Sequence, residues 1–380
     1  MLNVKIVGGG PAGLFLAYLL KKSDPTRVVR VAEQNSADAT FGFGVVFSGR
    51  ALQFIAEADP DAAALLQQGT EVWSDQIIDH DGTQVLVDGG TFSAVERIML
   101  LTKLQQLCRR VGVDLAFDRR VEDRLDGSDC DLLVGADGAN SAVRDSHAAA
   151  FGTFRHELKN FFAWYGVDTT YPSHTLTFRS TKHGVFCGHH YRYTPTRSTF
   201  VAECDEATWF AAGFDALDDE ARREATGQVF FDTLEGRPLL SNRSLWRRWS
   251  LVGNDTWHHE NIVLIGDALR TAHPSIGQGT RLAIEDSIAL ARALDAEGDR
   301  VDLALPRYQA ERRPIREKLN DAAVKSIEWY EGMAEKMALP PYEFAMDYLL
   351  RTGRMSRSRL AAESPAFLRR YEASAERLAG

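Results

Sequence analysis

Residues 2–7 form an apolar run that stops in glycines, the pattern of a short strand buried on both faces. Residues 14–22 repeat their apolar positions at helical spacing. Residues 28–32 are again short, apolar and β-branched, and end at Glu33. Strand, helix and strand in immediate succession predict a parallel β-α-β unit. Helical spacing returns at 48–57 and 103–111, apolar strands at 131–135 and 262–265, and a long helix at 279–294. Residues 175–180, 184–193 and 198–204 differ in texture. They alternate, carry β-branched and aromatic side chains, and are separated by short turns, which predicts an antiparallel sheet. Parallel-strand signals lie before and after this sheet, so it is inserted into the first domain. The tail after Pro306 reads as helical, broken at Pro340-Pro341.

The expected architecture is therefore α/β. A Rossmann-like parallel-sheet domain is drawn from 1–75, 93–155 and 255–305. An antiparallel-sheet substrate domain comes from 76–92 and 156–254, and a C-terminal helical segment covers 306–380. A chain of 380 residues has room for this division. The formal net charge of −9 repels phosphate backbones and argues against a nucleic-acid partner, while leaving room for an anionic small molecule in a local basic pocket. The apolar run 14–20 is too short to span a bilayer, and no targeting segment is read. Cys108, Cys130, Cys187 and Cys204 show neither C-x-x-C pairing nor a disulfide framework. A cytoplasmic monomer or homodimer is expected. Cys187 lies near His189 and His190, but strand alternation divides such a group between two faces and no second ligand pair accompanies it, so no metal is expected.

Gly8-Gly9-Gly10-Pro11-Ala12-Gly13 fits G-x-G-x-x-G between the first strand and first helix. Gly8 permits the tight turn, Gly10 lets backbone N–H groups approach a pyrophosphate, and Gly13 lets helix and strand pack closely. Glu33 stands at the end of the second strand, where a carboxylate accepts from a ribose. The motif alone does not separate FAD from NAD. Two later segments bear on that choice: Asp137-Gly138-Ala139-Asn140-Ser141 after a strand, and Gly266-Asp267 after another, leading through Pro274 and Gly277-Gln278-Gly279-Thr280 into the long helix. The N-terminus of that helix suits the electron-rich end of a reduced flavin, and Asp267 suits a ribityl hydroxyl.

With all three fingerprints in order, the chain resembles the flavoprotein aromatic hydroxylases of the para-hydroxybenzoate hydroxylase fold. Narrower stretches are 41–48, 271–277 and 279–286, with tail residues Trp329, Glu331, Met337, Leu339, Phe344 and Ala345. These are similar to the group holding salicylyl-CoA 5-hydroxylase, 2-aminobenzoyl-CoA monooxygenase and the tryptophan hydroxylase of violacein biosynthesis. Departures stand at Arg270, where the wider family has histidine, at Ile276, where it has glycine, and at Arg281, where it has asparagine. Pro274 matches the wider family, whereas the acyl-CoA enzymes have phenylalanine there.

The resemblance implies non-covalent FAD, NADH or NADPH as co-substrate, and O2 as the source of a hydroxyl placed on an electron-rich ring. By resemblance, FAD is met by Gly8, Gly10, Pro11, Ala12, Gly13, Glu33, Val45, Arg97, Asp137, Asp267, Gly277, Gln278, Gly279 and Thr280, with Asp137 also serving the nicotinamide. His273 and Pro274 beside the flavin, and His189 and Tyr191 on the inserted sheet, are the expected catalytic residues. An aryl-CoA thioester of salicylyl or aminobenzoyl type is the expected substrate, and a free indole the alternative. Arg247 and Arg248, or Arg351, Arg354, Arg357 and Arg359, are candidates for its phosphates. A flavin halogenase would carry W-x-W-x-I-P, which this chain lacks. A non-catalytic flavin-binding protein is the remaining alternative.

Overall fold

Three sheets and a helical layer organise the chain. The computed structural model describes residues 1–379, with all side chains except those at 48–51, 276, 378 and 379. The first sheet has six strands in the order His258–His259, Ile262–Leu264, Leu132–Gly135, Asn3–Val7, Val28–Ala32 and Asp114–Ala116. All its pairings are parallel except the hairpin at its His258 end. Val4, Ile6, Val29, Val31, Leu132, Leu133 and Val134 have almost no exposed surface, as a sheet covered by helices requires. The helix Pro11–Ser23 buries nearly its whole circumference against that sheet, between the helices Arg97–Val111 and Gly279–Ala296.

The second sheet has eight strands. Along its length run Leu239–Leu240, Thr153–Val167, Ser198–Cys204, Gly184–Arg192, His174–Thr181, Gln76–His80 and Thr83–Val87, and Arg247–Asn254 pairs with Thr153–Val167. It is antiparallel but for one pair, His174–Thr181 with Gln76–His80. Gln76–His80 reaches the sheet by a long connection, which is what a parallel neighbour needs. A three-stranded sheet, Gly44–Ser48, Phe92–Glu96 and Glu71–Trp73, was not read from the sequence; it links the two larger sheets.

Several elements extend past their expected limits. The helix expected at 103–111 begins at Arg97, because Leu100, Leu101 and Leu104 continue one buried stripe. The strand Thr153–Val167 crosses 155/156, and the helix Val301–Glu331 crosses 305/306. Pro306 and Pro314 both lie inside that helix. Each proline forfeits one backbone hydrogen bond, yet Ala304, Leu305, Tyr308, Leu319, Ala322 and Ala323 supply a continuous buried face that carries the helix through.

The long helix is fixed by charge as well as by packing. Arg312 and Arg316 on it are 4% and 3% exposed, and both reach Asp286, which has no exposed surface. Arg312 Nε donates to Asp286 Oδ1 at 2.9 Å, and Arg316 Nη2 donates to Asp286 Oδ2. Arg312 also pairs with Glu285, which in turn accepts from Arg281. Asp286 accepts the N–H of Gly266 at 3.1 Å, and Arg316 donates to Gly266 O at 3.3 Å. Removing Asp286 strands the buried Arg316 guanidinium and takes one of the two carboxylates that Arg312 meets, so Asp286→Ala is expected to lower stability by about 3–5 kcal/mol. Denaturant unfolding of the wild type and variant, without added cofactor, checks this.

Candidate active site

The glycine turn at the start of the first helix is built from contacts that only glycine tolerates. Gly8 has φ +108°, and a Cβ there would lie 2.3 Å from Ala136 O; a Cβ on Gly13 would lie 2.1 Å from Gly8 O. Gly10 is different, because a Cβ there would meet no atom within 4 Å. The helix starts with Pro11 at its first position and no side-chain cap, so its first N–H groups remain available to an anion. Glu33 accepts from Gly9 N at 2.7 Å through Oε2, and from Asn35 N and Nδ2 through Oε1. One lone pair on Oε2 is left for a further donor.

The second fingerprint is placed beside the first. A Cβ on Gly8 would come within 2.7 Å of Asp137 Cα. The Asp137 carboxylate, however, caps its own loop, accepting from Ser141 Oγ at 2.5 Å and Ala142 N at 2.7 Å. Burial pushes this carboxyl up, against the pull of those hydrogen bonds. Arg144, wholly buried, donates to Ala139 O at 2.8 Å and Ala268 O at 3.3 Å, and so clamps the second fingerprint to the third.

At the third fingerprint, Asp267 is open to solvent although protein surrounds it, which places it on the wall of a cleft. Burial pushes its carboxyl up, and Arg316 and Arg97 pull it down. Arg97 stands across from it at the first turn of the helix Arg97–Val111. Its buried Nε has no partner among the described residues, and neither has the buried Gln278 Oε1. Gln278 precedes the helix Gly279–Ala296, whose N-terminus again lacks a side-chain cap; Gly277 there is left-handed, and Thr280 is half-buried. An open glycine turn, two uncapped helix starts and two unpaired buried polar atoms fit a dinucleotide of the FAD type. Val45 is buried under this wall, in register with Val95.

Register defines the floor opposite. His174 of one strand, His189 and Tyr191 of the next, Thr199, Val201 and Glu203 of a third, and Trp164 of a fourth share one face of the eight-stranded sheet. His190 points to the other face, against Phe200 and Tyr171, with Nε2 2.9 Å from Thr177 Oγ1. Phe178 and Cys187, on the floor face, are sealed under Trp329, Tyr330, Phe344 and Tyr348. His174, His189, Trp164 and Val201 keep partial solvent contact amid buried neighbours. Tyr191 Oη donates to Gly44 O at 3.1 Å, so its proton is committed. Tyr330 overhangs His189, with ring centroids 5.3 Å apart.

The loop with His273 and Pro274 meets this floor at its edge. His273 is 6% exposed, touches Trp249 edge-on, and has Nδ1 2.7 Å from Ser275 Oγ. Pro274 opens the short turn that follows and is half-buried. Arg351, from the tail, turns inward over the Tyr348 ring at 3.7 Å. Arg357 instead meets Tyr371, and Arg359 pairs with exposed Glu363, so these tail arginines form no single patch. Arg248 pairs with Glu206 and covers Phe161, while Arg247 covers Phe162. Among the described residues, no group of three His, Cys, Asp or Glu side chains is arranged to hold a metal. Nor is any helix among them long and apolar enough to cross a membrane.

Sequence reasoning missed Arg144, His174 and Glu203. Arg144 lies three residues past a recognised motif, which is the one signal that pointed toward it. His174 and Glu203 are strand residues whose facing depends on register. Burial, with Glu331 nearby, pushes the Glu203 carboxyl up to about 7, against its hydrogen bond from Asn160 at 2.9 Å.

Comparison with known proteins supplies the remaining observations. Residues 112–323 match the FAD binding domain family. The chain is 37% identical over 98% of its length to salicyloyl-CoA 5-hydroxylase of a Streptomyces species, covering 73% of that protein. It is 34% identical over 95% of its length to 3-hydroxy-4-methyl-anthranilyl-[aryl-carrier protein] 5-monooxygenase of Streptosporangium sibiricum, covering 97% of it. In fold it matches 2-methyl-3-hydroxypyridine-5-carboxylic acid oxygenase with a TM-score of 0.72 at 20% identity, each chain covered to 96%.

Glu203 gives this site a testable pH signature. Folded Glu203 holds its proton to about pH 7, whereas an unfolded glutamate releases it near 4.5. Its contribution to stability is therefore full below pH 4.5 and is lost as pH rises through 7, by up to about 3 kcal/mol. Unfolding curves of the wild type should show that decline superimposed on other titrations. Glu203→Gln should remove it; an unchanged slope would refute the assignment.

Proposed function

The chain belongs to the FAD-binding aromatic hydroxylase family, and from that membership we propose its substrate and the roles of its residues. It is an FAD-dependent monooxygenase that uses NAD(P)H and O2. The substrate is a hydroxy- or amino-substituted aromatic acid carried as a thioester. The named substrates of both relatives support this, one a CoA ester and the other bound to a carrier protein. The observation that carries the reading is the cleft itself, where a wall of cofactor-type backbone and unpaired polar groups faces a floor of histidines and aromatic rings.

When bound, FAD would supply the redox chemistry: uptake of two electrons from NAD(P)H and activation of O2 for transfer of one oxygen atom to the ring. The chain's own residues bind, orient and exclude water. Backbone N–H groups of the 8–13 turn hold the pyrophosphate, Glu33 Oε2 accepts from the ribose, and Arg97, Asp267 and Gln278 face the remainder of FAD without a covalent link. Gly277, Gly279 and Thr280 present the N-terminus of the long helix to the flavin ring. Pro274 limits the space beside it. His189 and His174 border the aromatic ring of the substrate, and Tyr330 closes over it. These groups are neutral, because burial pulls both histidines well down, His174 to about 4. A neutral, water-poor wall leaves the ring's electron density intact and suits electrophilic attack.

Two experiments test this. Salicylyl- and aminobenzoyl-CoA and the corresponding free acids are offered with FAD and NADH or NADPH. Hydroxylated thioester is expected; turnover of free acids alone overturns the substrate. Peroxide as the sole product would indicate an oxidase, and no NAD(P)H consumption with any compound a non-catalytic flavin protein. The second experiment separates fold from cofactor. Gly10→Ala should leave apoprotein stability within about 0.5 kcal/mol, because its backbone is extended and the space is open, yet weaken FAD binding at least tenfold. Gly8→Ala should destabilise the fold itself. Titration of FAD by fluorescence quenching, with parallel melting curves, reads both.

A further inference from the structure

The histidine at the edge of the cleft is joined to a half-buried arginine by a chain of hydroxyls whose direction can be worked out bond by bond. Arg351 Nε lies 3.0 Å from Ser326 Oγ, Ser326 Oγ 2.9 Å from Ser275 Oγ, and Ser275 Oγ 2.7 Å from His273 Nδ1. Ser275 N also donates to His273 Nδ1, at 3.3 Å. Three of the four side chains belong to the interior, His273, Ser275 and Ser326 being 6%, 9% and 0% exposed, and the half-buried Arg351 is held by Tyr348 O at 2.8 Å and Ser275 O at 3.1 Å.

Each link admits one direction. A guanidinium has no acceptor, so Ser326 Oγ accepts from Arg351. A backbone N–H cannot accept, so Nδ1 carries a lone pair and no proton. The Ser275 hydroxyl must then give its single proton to Nδ1, and Ser326 must give its own to Ser275. The imidazole proton is left on Nε2, which has no partner among the described residues and is not sealed from solvent.

The geometry points to a one-way relay, Arg351 to Ser326 to Ser275 to His273, that locks His273 as the neutral Nε2–H tautomer and makes it a hydrogen-bond donor into the cleft. His273 therefore does not take a proton from the substrate. It donates to an oxygen: the substrate's ring hydroxyl or carbonyl, or oxygen arriving at the flavin. Arg351, Ser326 and Ser275 are positioning residues. What His273 meets rests on the monooxygenase reading; its tautomer does not. The surroundings agree. The charged and titratable groups near the ring are Arg351, His189, Arg270 and Arg316, none of which supplies negative charge to favour an imidazolium. Burial, then Arg351, pulls its pKa down to about 4.

The test is long-range 1H–15N correlation NMR on the FAD-loaded protein with 15N-histidine, with the His273 signals identified by their loss in His273→Gln. Between pH 8 and 5.5 the expected pattern is a bare Nδ1 and a protonated Nε2 with no titration. Ser275→Ala should shift the tautomer ratio at least several-fold toward Nδ1–H, one hydrogen bond of about 1 kcal/mol having been lost. A wild-type Nδ1–H tautomer, an imidazolium at pH 7, or an unmoved ratio in Ser275→Ala would each overturn the relay. The donor role has its own readout, the fraction of NAD(P)H oxidation that yields hydroxylated product. The Gln amide stands near Nε2 and the Asn amide near Nδ1, so His273→Gln should retain more coupling than His273→Asn by about tenfold. Equal coupling in the two variants overturns the donor role. Failure to bind FAD or oxidise NAD(P)H would sink the functional reading and leave the tautomer result standing.

Discussion

Everything that faces the cofactor hangs on one buried carboxylate. Asp286 accepts from the backbone of Gly266 and from two guanidiniums of the helix Val301–Glu331, and has no water to fall back on. Two ions buried together offset desolvation only when geometry and remaining hydrogen bonds are satisfied, and here Arg316 Nη2 also donates to Gly266 O while Nη1 donates to Arg270 O. The consequence is positional. The third fingerprint turn is a tight left-handed corner at Gly266, and its place relative to the long helix is set by charge, which resists sliding better than apolar contact does. That same helix carries Ser326, Trp329 and Tyr330 at its far end. One rigid rod thus sets the spacing between the cofactor wall and the roof over the histidines.

The parts of this arrangement that could be read from sequence are those whose geometric demand is local. Gly8 and Gly13 are glycines because neighbouring backbone lies closer than any Cβ allows, and such a demand leaves a spaced motif. Alternation likewise put His189 and Tyr191 on one face and His190 on the other, which the register repeats. The strand-to-helix crossing after Gly266 pointed to Asp267 and resemblance supplied Arg97, but their placement across one cleft no spacing rule reveals. What escaped depends on tertiary neighbours. Glu203 looks like any strand acid until Asn160 and the sealed floor surround it. Arg351 read as one of four tail arginines for phosphate, and only the fold turns it onto Tyr348 while its fellows face outward. The helix at Arg97 began six residues earlier than expected because Glu96 and Arg97 look like loop residues until the buried leucines behind them are seen.

The eight-stranded sheet divides its labour by face. One side packs Phe186, Phe200, Cys204 and Trp209 into an ordinary apolar core. The other presents the imidazoles of His174 and His189 and the Trp164 indole to the cleft, and buries the Glu203 carboxyl, pushed up to about 7, beside them. A hydroxylase gains from this division, since the floor is positioned by a rigid ladder rather than by loops, while the histidines on it stay uncharged in a poorly solvated space.

The roof has a different origin from the walls. Trp329, Tyr330, Phe344 and Tyr348 all follow both cofactor turns in the chain, and the helix Pro365–Ala379 docks back through Ala366 N and Phe367 N on Asp88. During synthesis, the segments that form the dinucleotide cradle leave the ribosome before those that enclose the aromatic chamber. The roof is therefore the last part of the chamber to be synthesised, and it closes over a floor and walls whose strands all precede it in the chain.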